Sequence, residues 1–477
     1  MLRLYDTLLR SVTDIVPATP GVLRVYACGP TVYKPQHVGN LRSSLLPDLI
    51  VRIAEWHKMS VRFVQNVTDV GHLSDDSGED KMIAEARARG LTPLQIAREI
   101  EALFAADALA LGFRPPMATP RASDYVEQMV AMTQTLLEGG SAYVSGGSVF
   151  FDARSFAGYG ELSGNRLADL VPQASGRVSD AEEAAKRFHA DWALWRGAGG
   201  AGGADGADGA GGADGAGELS FDSPWGPGTP GWHIECSAMA AELLDGSVDV
   251  HTGGIDLRFP HHEDERAQSD AALGREVVRH WVHGEHLLFE GRKMSKSTGN
   301  VVLLADVVAH GIDPLAVRLS FLTQRYRTQV NLSWTALEAA DTRLRRWRQL
   351  VREWAEHPSK PMCAEYVERI VAAFDDDLDT PTAVKVLGEL AKHRELPPGS
   401  KFETFASLDR LFGLDLARDV GQPPAPLPPG ASSLVAERER ARDAKEWAIA
   451  DRLRGQLAEL GVAVADTPEG PVASVSA

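Results

Sequence analysis

Leu23-Arg24-Val25-Tyr26-Ala27-Cys28-Gly29-Pro30-Thr31, followed by His37-Val38-Gly39-Asn40, is the stretch that decides the fold. Leu23 to Ala27 is an apolar, β-prone run, Cys28 to Thr31 reads as a turn, and a helix is expected to begin at His37. Strand, loop and helix start, in that order, make an anion site. Gly39 removes a side chain where a nucleotide would press on the backbone, and the helix start is expected to offer unpaired N–H groups and a positive dipole end to phosphate. Far along the chain, Lys293-Met294-Ser295-Lys296-Ser297 sets two lysines and two hydroxyls between Gly291 and Gly299-Asn300, a loop suited to clamp polyanionic charge. Each stretch alone is a weak signal, but together they describe one nucleotide site.

Working outward, residues 21 to about 113 alternate β-rich runs, such as Val61 to Val67, with helical stretches. That is the pattern of a doubly wound parallel sheet of Rossmann type, with a ligand expected at the carboxyl ends of its strands. Residues 1–113 are therefore assigned to the first half of a catalytic α/β domain and 222–330 to its second half. Between them, 114–221 reads as an insertion containing the hairpin-like Tyr143 to Phe151 and a Gly, Ala and Asp spacer, 197–217, expected to be disordered. From 331 to 421 the text is helical: Leu337, Ala340, Leu344, Trp347, Val351 and Trp354 fall on one helix face, with Ser333 as N-cap. The Pro-rich Gln422 to Gly430 is expected to link this bundle to a small unit, 431–477, built on one helix from about Ser433 to Leu460 that ends at Gly461.

The 477 residues are enough for roughly two to four domains. No apolar run approaches the ~20 residues of a membrane span, and Met1-Leu2-Arg3-Leu4-Tyr5-Asp6 does not read as a secretory leader, so a cytoplasmic address is expected. Three cysteines make no disulfide framework and suit thiols or metal ligands in a reducing compartment. A net charge of −17 argues at first against a nucleic-acid partner. Positive charge nevertheless gathers at Arg343-Leu344-Arg345-Arg346-Trp347-Arg348 and from Arg438 to Arg442, as a local basic surface on an acidic body or as solvated helix faces.

The paired signatures resemble those of class I aminoacyl-tRNA synthetases, and other stretches narrow the resemblance to the cysteinyl-tRNA synthetases. These are Tyr26 to Tyr33, Asp222 to Met239, Phe259-Pro260-His261-His262-Glu263-Asp264-Glu265, and Gly291 to Asn300, with scattered matches to the C-terminus. The resemblance implies activation of L-cysteine by ATP, with Mg2+, and transfer to tRNA(Cys); a monomer is expected. It implies that Gly29, Thr31, His37, Gly39, Asn40 and Lys296 bind nucleotide, that His37, Asn40, Lys293 and Lys296 act in catalysis, and that Trp232 and Thr68 line the amino-acid pocket.

His261 and Glu265, four apart on a helix, share a face, and Cys28 and Cys236 can complete a tetrahedral set suited to zinc. By spacing alone a buried thiol and a surface His–Glu pair is the simpler reading; the resemblance implies that all four are zinc ligands. A thiolate-seeking metal then separates cysteine from the similarly sized serine. His262, Glu263 and Asp264 are expected in supporting positions, while His233, His251, His283 and His286 read as structural.

Departures from the family pattern are Asn40, where a second histidine is usual, Thr229 in place of a common arginine, a long Asp69 to Lys81 segment, and a tail, Gly470 to Ala477, without an aromatic and basic ending. Two other readings stay open on the sequence: a paralogue that ligates activated cysteine to a small amine, as the mycothiol cysteine ligases do, and a tRNA-binding paralogue without catalysis.

Overall fold

The computed structural model describes residues 1–70, 88–170, 180–198, 220–294, 300–422, 427–467 and 470–475. Lys296, most of the Gly/Ala/Asp spacer, most of the Asp69 to Lys81 segment and part of the Pro-rich linker lie outside the described residues.

The strand read at Leu23 to Ala27 is Val22–Ala27, and it lies inside a four-stranded parallel sheet. In spatial order the strands are Val278–Gly284, Val248–Gly254, Val22–Ala27 and Ser60–Gln65. Val64, Tyr26, His251 and Trp281 form one row across it. Val248–Gly254 is buried along its whole length, as a sheet covered on both faces requires. The chain order reverses between Val22–Ala27 and Val248–Gly254. At such a switch point the loops after the two strands diverge and leave a crevice. Cys28, Gly29 and Gly254 stand there.

The helix expected at His37 spans Val38–Trp56 and buries most of its length against the sheet. A four-stranded antiparallel sheet takes three strands from the inserted region, Ala142–Ser145, Ser148–Phe151 and Trp192–Gly197, and its fourth, Gly228–Pro230, from beyond the expected boundary at 221. Gly197, read as the start of the spacer, instead ends a strand and pairs with Gly228. The last strand runs through Gly231 into the helix Trp232–Leu243, so the inserted sheet and a segment carrying candidate ligands are continuous.

The helical region is built on Trp334–Ala355, capped by the Ser333 hydroxyl, with the six predicted apolar positions buried. It packs on Pro314–Leu322 and Pro398–Phe412. The single helix expected from Ser433 to Leu460 is two, Ala431–Asp443 and Trp447–Glu459, joined by a turn in which Lys445 takes a φ of 61°. Its end at Gly461 is as read, and the tail returns as a hairpin, Val462–Thr467 with Gly470–Val475. This unit has a small core of its own around Ala431, Leu457, Val462 and Val464. Among the described residues no helix is long and apolar enough to cross a membrane.

Candidate active site

The strand-to-helix turn is built closely. Thr31 bridges Thr68, Val32 N–H donates to Thr68 C=O at 3.1 Å, and Thr68 N–H donates to Pro30 C=O at 3.1 Å, which prolongs the parallel pairing beyond the strands. Gly29 donates its N–H to Asn66 Oδ1 at 2.8 Å, and a Cβ there would lie 1.6 Å from the Asn66 carbonyl oxygen, so only glycine fits. Glycine at this turn thus answers first to its neighbouring segment.

His37 is the N-cap of Val38–Trp56. Its Nδ1 accepts from Gly39 N–H at 3.1 Å and Asn40 N–H at 3.2 Å, while Val38 N–H donates to Val302 C=O and Leu41 N–H to His37 C=O. The unpaired N–H groups expected at this helix start are therefore all engaged, a correction that follows from the capping imidazole and the returning chain at Val302. What remains for an anion is the dipole end, the outer edge of the imidazole and nearby cations. Burial, then the Lys34 charge, lowers the His37 pKa and keeps the ring neutral. Asn40 donates from Nδ2 to Gln36 Oε1 at 2.5 Å, and Gln36 in turn donates to the carbonyls of Thr31 and Lys34.

Cys28, Gly29, Thr31, His37, Gly39, Asn40, Trp232 and Lys293 all line one cleft of about 350 Å³. The two signatures meet inside it: Met294 packs on Gly39, where a Cβ would lie 2.8 Å from Met294 Cε. Asn300 Nδ2 donates to the Lys293 carbonyl at 3.1 Å across the base of the second signature. Thr68 lies beneath the wall, buried, accepting from Asn66 Nδ2 and donating its hydroxyl to Glu235 Oε2 at 3.0 Å.

Behind Cys28, which lines the cleft, ligand atoms of Cys28, Cys236, His261 and Glu265 lie within 4.8 Å of one another. The sulfurs are 3.7 Å apart, and Glu265 Oε1 is 3.4 Å from Cys28 Sγ and 2.9 Å from His261 Nε2. Two thiols, an imidazole and a carboxylate converging from three segments form a possible metal-binding cluster whose softness suits zinc. The surroundings orient it. His233 Nδ1 bonds His261 Nδ1 at 2.8 Å and His233 Nε2 faces Asp264 at 3.3 Å, so a proton on His261 Nδ1 leaves Nε2 as an electron-pair donor. Asp264 also accepts from the Tyr159 hydroxyl. Trp232 stacks on His261, with ring centres 4.2 Å apart.

The imidazole of the cluster is held as a cation beside an anionic carboxylate. Burial would lower His261, but Glu265 and Cys236 push it up to about 10. Burial would raise Glu265, yet His251 and His261 hold it well below the ordinary carboxylate range. Burial also opposes the Cys236 thiolate, which the hydrogen bonds of Cys28 and His261 bring down to about 7.

Sequence reasoning underrated three histidines. His251 Nε2 bonds Glu265 Oε2 at 2.9 Å, and His262 Nε2 lies 3.3 Å from Cys28 Sγ, so Cys28, His251, His262 and Glu265 form a second, overlapping ligand set. His262 Nδ1 continues to His283 and thence to Thr7, each step 2.8 Å. Their positions follow from sheet register, since His251 and His283 sit on neighbouring parallel strands; no spacing in the sequence carries that.

A parallel sheet with a cleft at its switch point, lined by both sequence signatures, is the architecture of a class I aminoacyl-tRNA synthetase. Residues 14–342 match the family model described as tRNA synthetases class I (C) catalytic domain, and residues 425–470 match the cysteinyl-tRNA ligase anticodon binding domain. The chain belongs to the cysteine–tRNA ligase family: it is 38% identical to that ligase of Symbiobacterium thermophilum over 98% of both chains, and 39% identical to that of Thermus thermophilus over the same shares. Mycobacterium tuberculosis methionyl-tRNA synthetase with methionyl-adenylate shares the fold, with a TM-score of 0.54 at 16% identity over 90% of this chain and 96% of that one.

Proposed function

We propose that this protein is a cysteine–tRNA ligase. The carboxylate of L-cysteine attacks the α-phosphorus of ATP, releasing pyrophosphate and giving cysteinyl-adenylate. The terminal ribose hydroxyl of tRNA(Cys) then attacks the activated carbonyl and releases AMP. The observation that carries this reading is the convergence of Cys28, Cys236, His261 and Glu265, of which Cys28 lines the same cleft as His37, Gly39, Asn40, Lys293 and Met294.

Zinc is the ion proposed for those four ligands, where it would bind the substrate thiolate and so reject serine. His233, fixed by Asp264, keeps the His261 lone pair directed inward, and Trp232 closes the pocket beside it. At the other end His37, its Nδ1 occupied by the cap, presents its Nε2 edge to the phosphates, while Lys293 and Lys296 neutralise charge developing on pyrophosphate. Asn40 braces the Thr31 to Gln36 loop through Gln36. Thr31, Gly29 and Gly39 form the close walls for the nucleotide, Thr68 supports the amino-acid side from beneath, and Mg2+ accompanies ATP as part of the substrate.

Transfer to tRNA, in preference to a small amine, is supported by the anticodon-domain match at residues 425–470. A cytoplasmic monomer is proposed. The test is aminoacylation of total tRNA with each amino acid in turn, beside cysteine-dependent ATP–pyrophosphate exchange. Charging with cysteine alone is expected. Exchange without charging, and with a ribonuclease-resistant acceptor, would overturn the tRNA reading.

A further inference from the structure

One wall of the cleft is the segment Gly284-Glu285-His286-Leu287, which continues from the strand Val278–Gly284. Glu285 N–H donates to Tyr326 C=O, His286 C=O accepts from Val330 N–H, and Leu287 opens a short strand paired with Val330–Leu332. The opposite wall is the start of the helix Val38–Trp56, on which Arg42 stands two residues past Asn40.

Arg42 is 7% exposed. Its Nη1 donates to the carbonyls of Glu285 at 2.5 Å and His286 at 3.1 Å. Nη2 donates to those of Thr328 at 2.8 Å, Arg325 at 3.1 Å and Tyr326 at 3.4 Å. Five carbonyls from two segments thus converge on one guanidinium, which burial lowers only to about 10 and so leaves charged at neutral pH. A planar fork fixes both direction and distance, whereas an ammonium supplies a single point.

We propose that Arg42 is a positioning residue for the nucleotide: by tying the first signature helix to the Glu285–His286 wall it sets the width of the slot that receives the adenosine end of ATP. The assignment of that end follows from the order of the lining along the cleft. The Cys28 and Trp232 end takes the amino acid and the helix start and Lys293 face the phosphates, which leaves the Glu285 to Leu287 wall together with the Gly254 to Leu257 segment that adjoins it through the Gly284–Gly254 pair. The inference rests on the ATP reading given above. Arg42 acts through the wall, since each of its bonds described here goes to protein carbonyl oxygens.

The test is Arg42→Lys and Arg42→Gln in the full-length protein, with cysteine-dependent ATP–pyrophosphate exchange, bound metal and thermal melting measured on each. The KM for ATP is expected to rise about tenfold or more while the KM for cysteine stays within about twofold, with metal content unchanged and Lys retaining more function than Gln. An unchanged KM for ATP, a parallel rise of both KM values, or loss of folded protein in both variants would overturn the inference by making Arg42 irrelevant or merely structural. Wild-type protein without cysteine-dependent exchange would instead overturn the ATP reading itself.

Discussion

At His37 one ring nitrogen caps a helix and the other is the one proposed to meet the phosphates, so stability and chemistry can be separated there. Asparagine is as good an N-cap as any residue, so His37→Asn is expected to hold stability within about 0.5 kcal/mol by chemical denaturation. Loss of the outer nitrogen should lower pyrophosphate exchange by about 100-fold. A substantial fall in stability with exchange preserved would reverse that division. The pH dependence has a definite sign. Burial and Lys34 place the folded pKa of His37 below the unfolded value of about 6.5, so the unfolded chain binds the proton first. The contribution is complete above about pH 6.5 and is lost as pH falls through the folded pKa, a loss that His37→Asn should remove. Cys236→Ser replaces a buried thiol with a hard hydroxyl, and both bound zinc, measured by atomic emission, and cysteine activation should fall together. Retained zinc would refute the ligand assignment. The residues of these signatures were legible because strand, turn and cap lie next to one another in the chain. His262 was read as a supporting group, but the roles of His251 and His283 were not legible, because their meeting with it depends on sheet register and on which face of a helix turns inward.

Among the elements, the helix Trp334–Ala355 was the most readable, since its apolar positions recur at helical spacing and a serine precedes it. The Ser333 hydroxyl accepts from Ala336 N–H at 3.2 Å, and Ser333→Ala is expected to cost about 1 kcal/mol in denaturant unfolding of this region. No measurable change would mean that the cap is replaced by water. The break between Asp443 and Trp447 was missed for a physical reason: neither proline nor glycine marks it, and the turn is made by a lysine in the left-handed region. Such a residue pays a steric cost that glycine does not. Lys445→Gly should therefore be neutral or stabilising by up to about 1 kcal/mol, read by thermal melting. A clear destabilisation would show that the lysine side chain contributes more than its backbone costs. The inserted region was legible as a hairpin only. Its partners Trp192–Gly197 and Gly228–Pro230 stand far along the chain and pair through backbone bonds that composition does not reveal.

For the whole molecule, the decisive junction is a buried charge cluster that no sequence pattern announces. Asp48, in the middle of the first signature helix, accepts from Arg52 Nε at 2.9 Å, Arg318 Nη2 at 2.5 Å and the Arg114 N–H at 2.7 Å. The two arginines then reach carbonyls at the ends of other helices: Arg318 those of Leu111 and Phe412, Arg52 those of Arg410 and Gly112. One carboxylate therefore joins the helix Val38–Trp56, the helix Pro93–Ala110 and the bundle helix Pro398–Phe412, bridging two guanidinium groups that are 7% and 0% exposed. Asp48→Asn keeps the shape and removes the charge, leaving both cations without it. By the usual cost of breaking a buried pair, stability should fall by about 3–5 kcal/mol, measured by denaturant unfolding. Arg318→Met added to Asp48→Asn should recover part of that loss, because one of the uncompensated charges goes with it. Burial alone would raise the Asp48 pKa, but Arg318, Arg52 and the Arg114 N–H bring it below the ordinary value. Its stabilisation is thus present above the unfolded value of about 3.9 and is lost as pH falls through the folded pKa, so acid should part the bundle from the catalytic unit later in the wild type than an unpaired aspartate would predict. A cost under about 1 kcal/mol for Asp48→Asn would mean that apolar packing, not this cluster, holds the two units together.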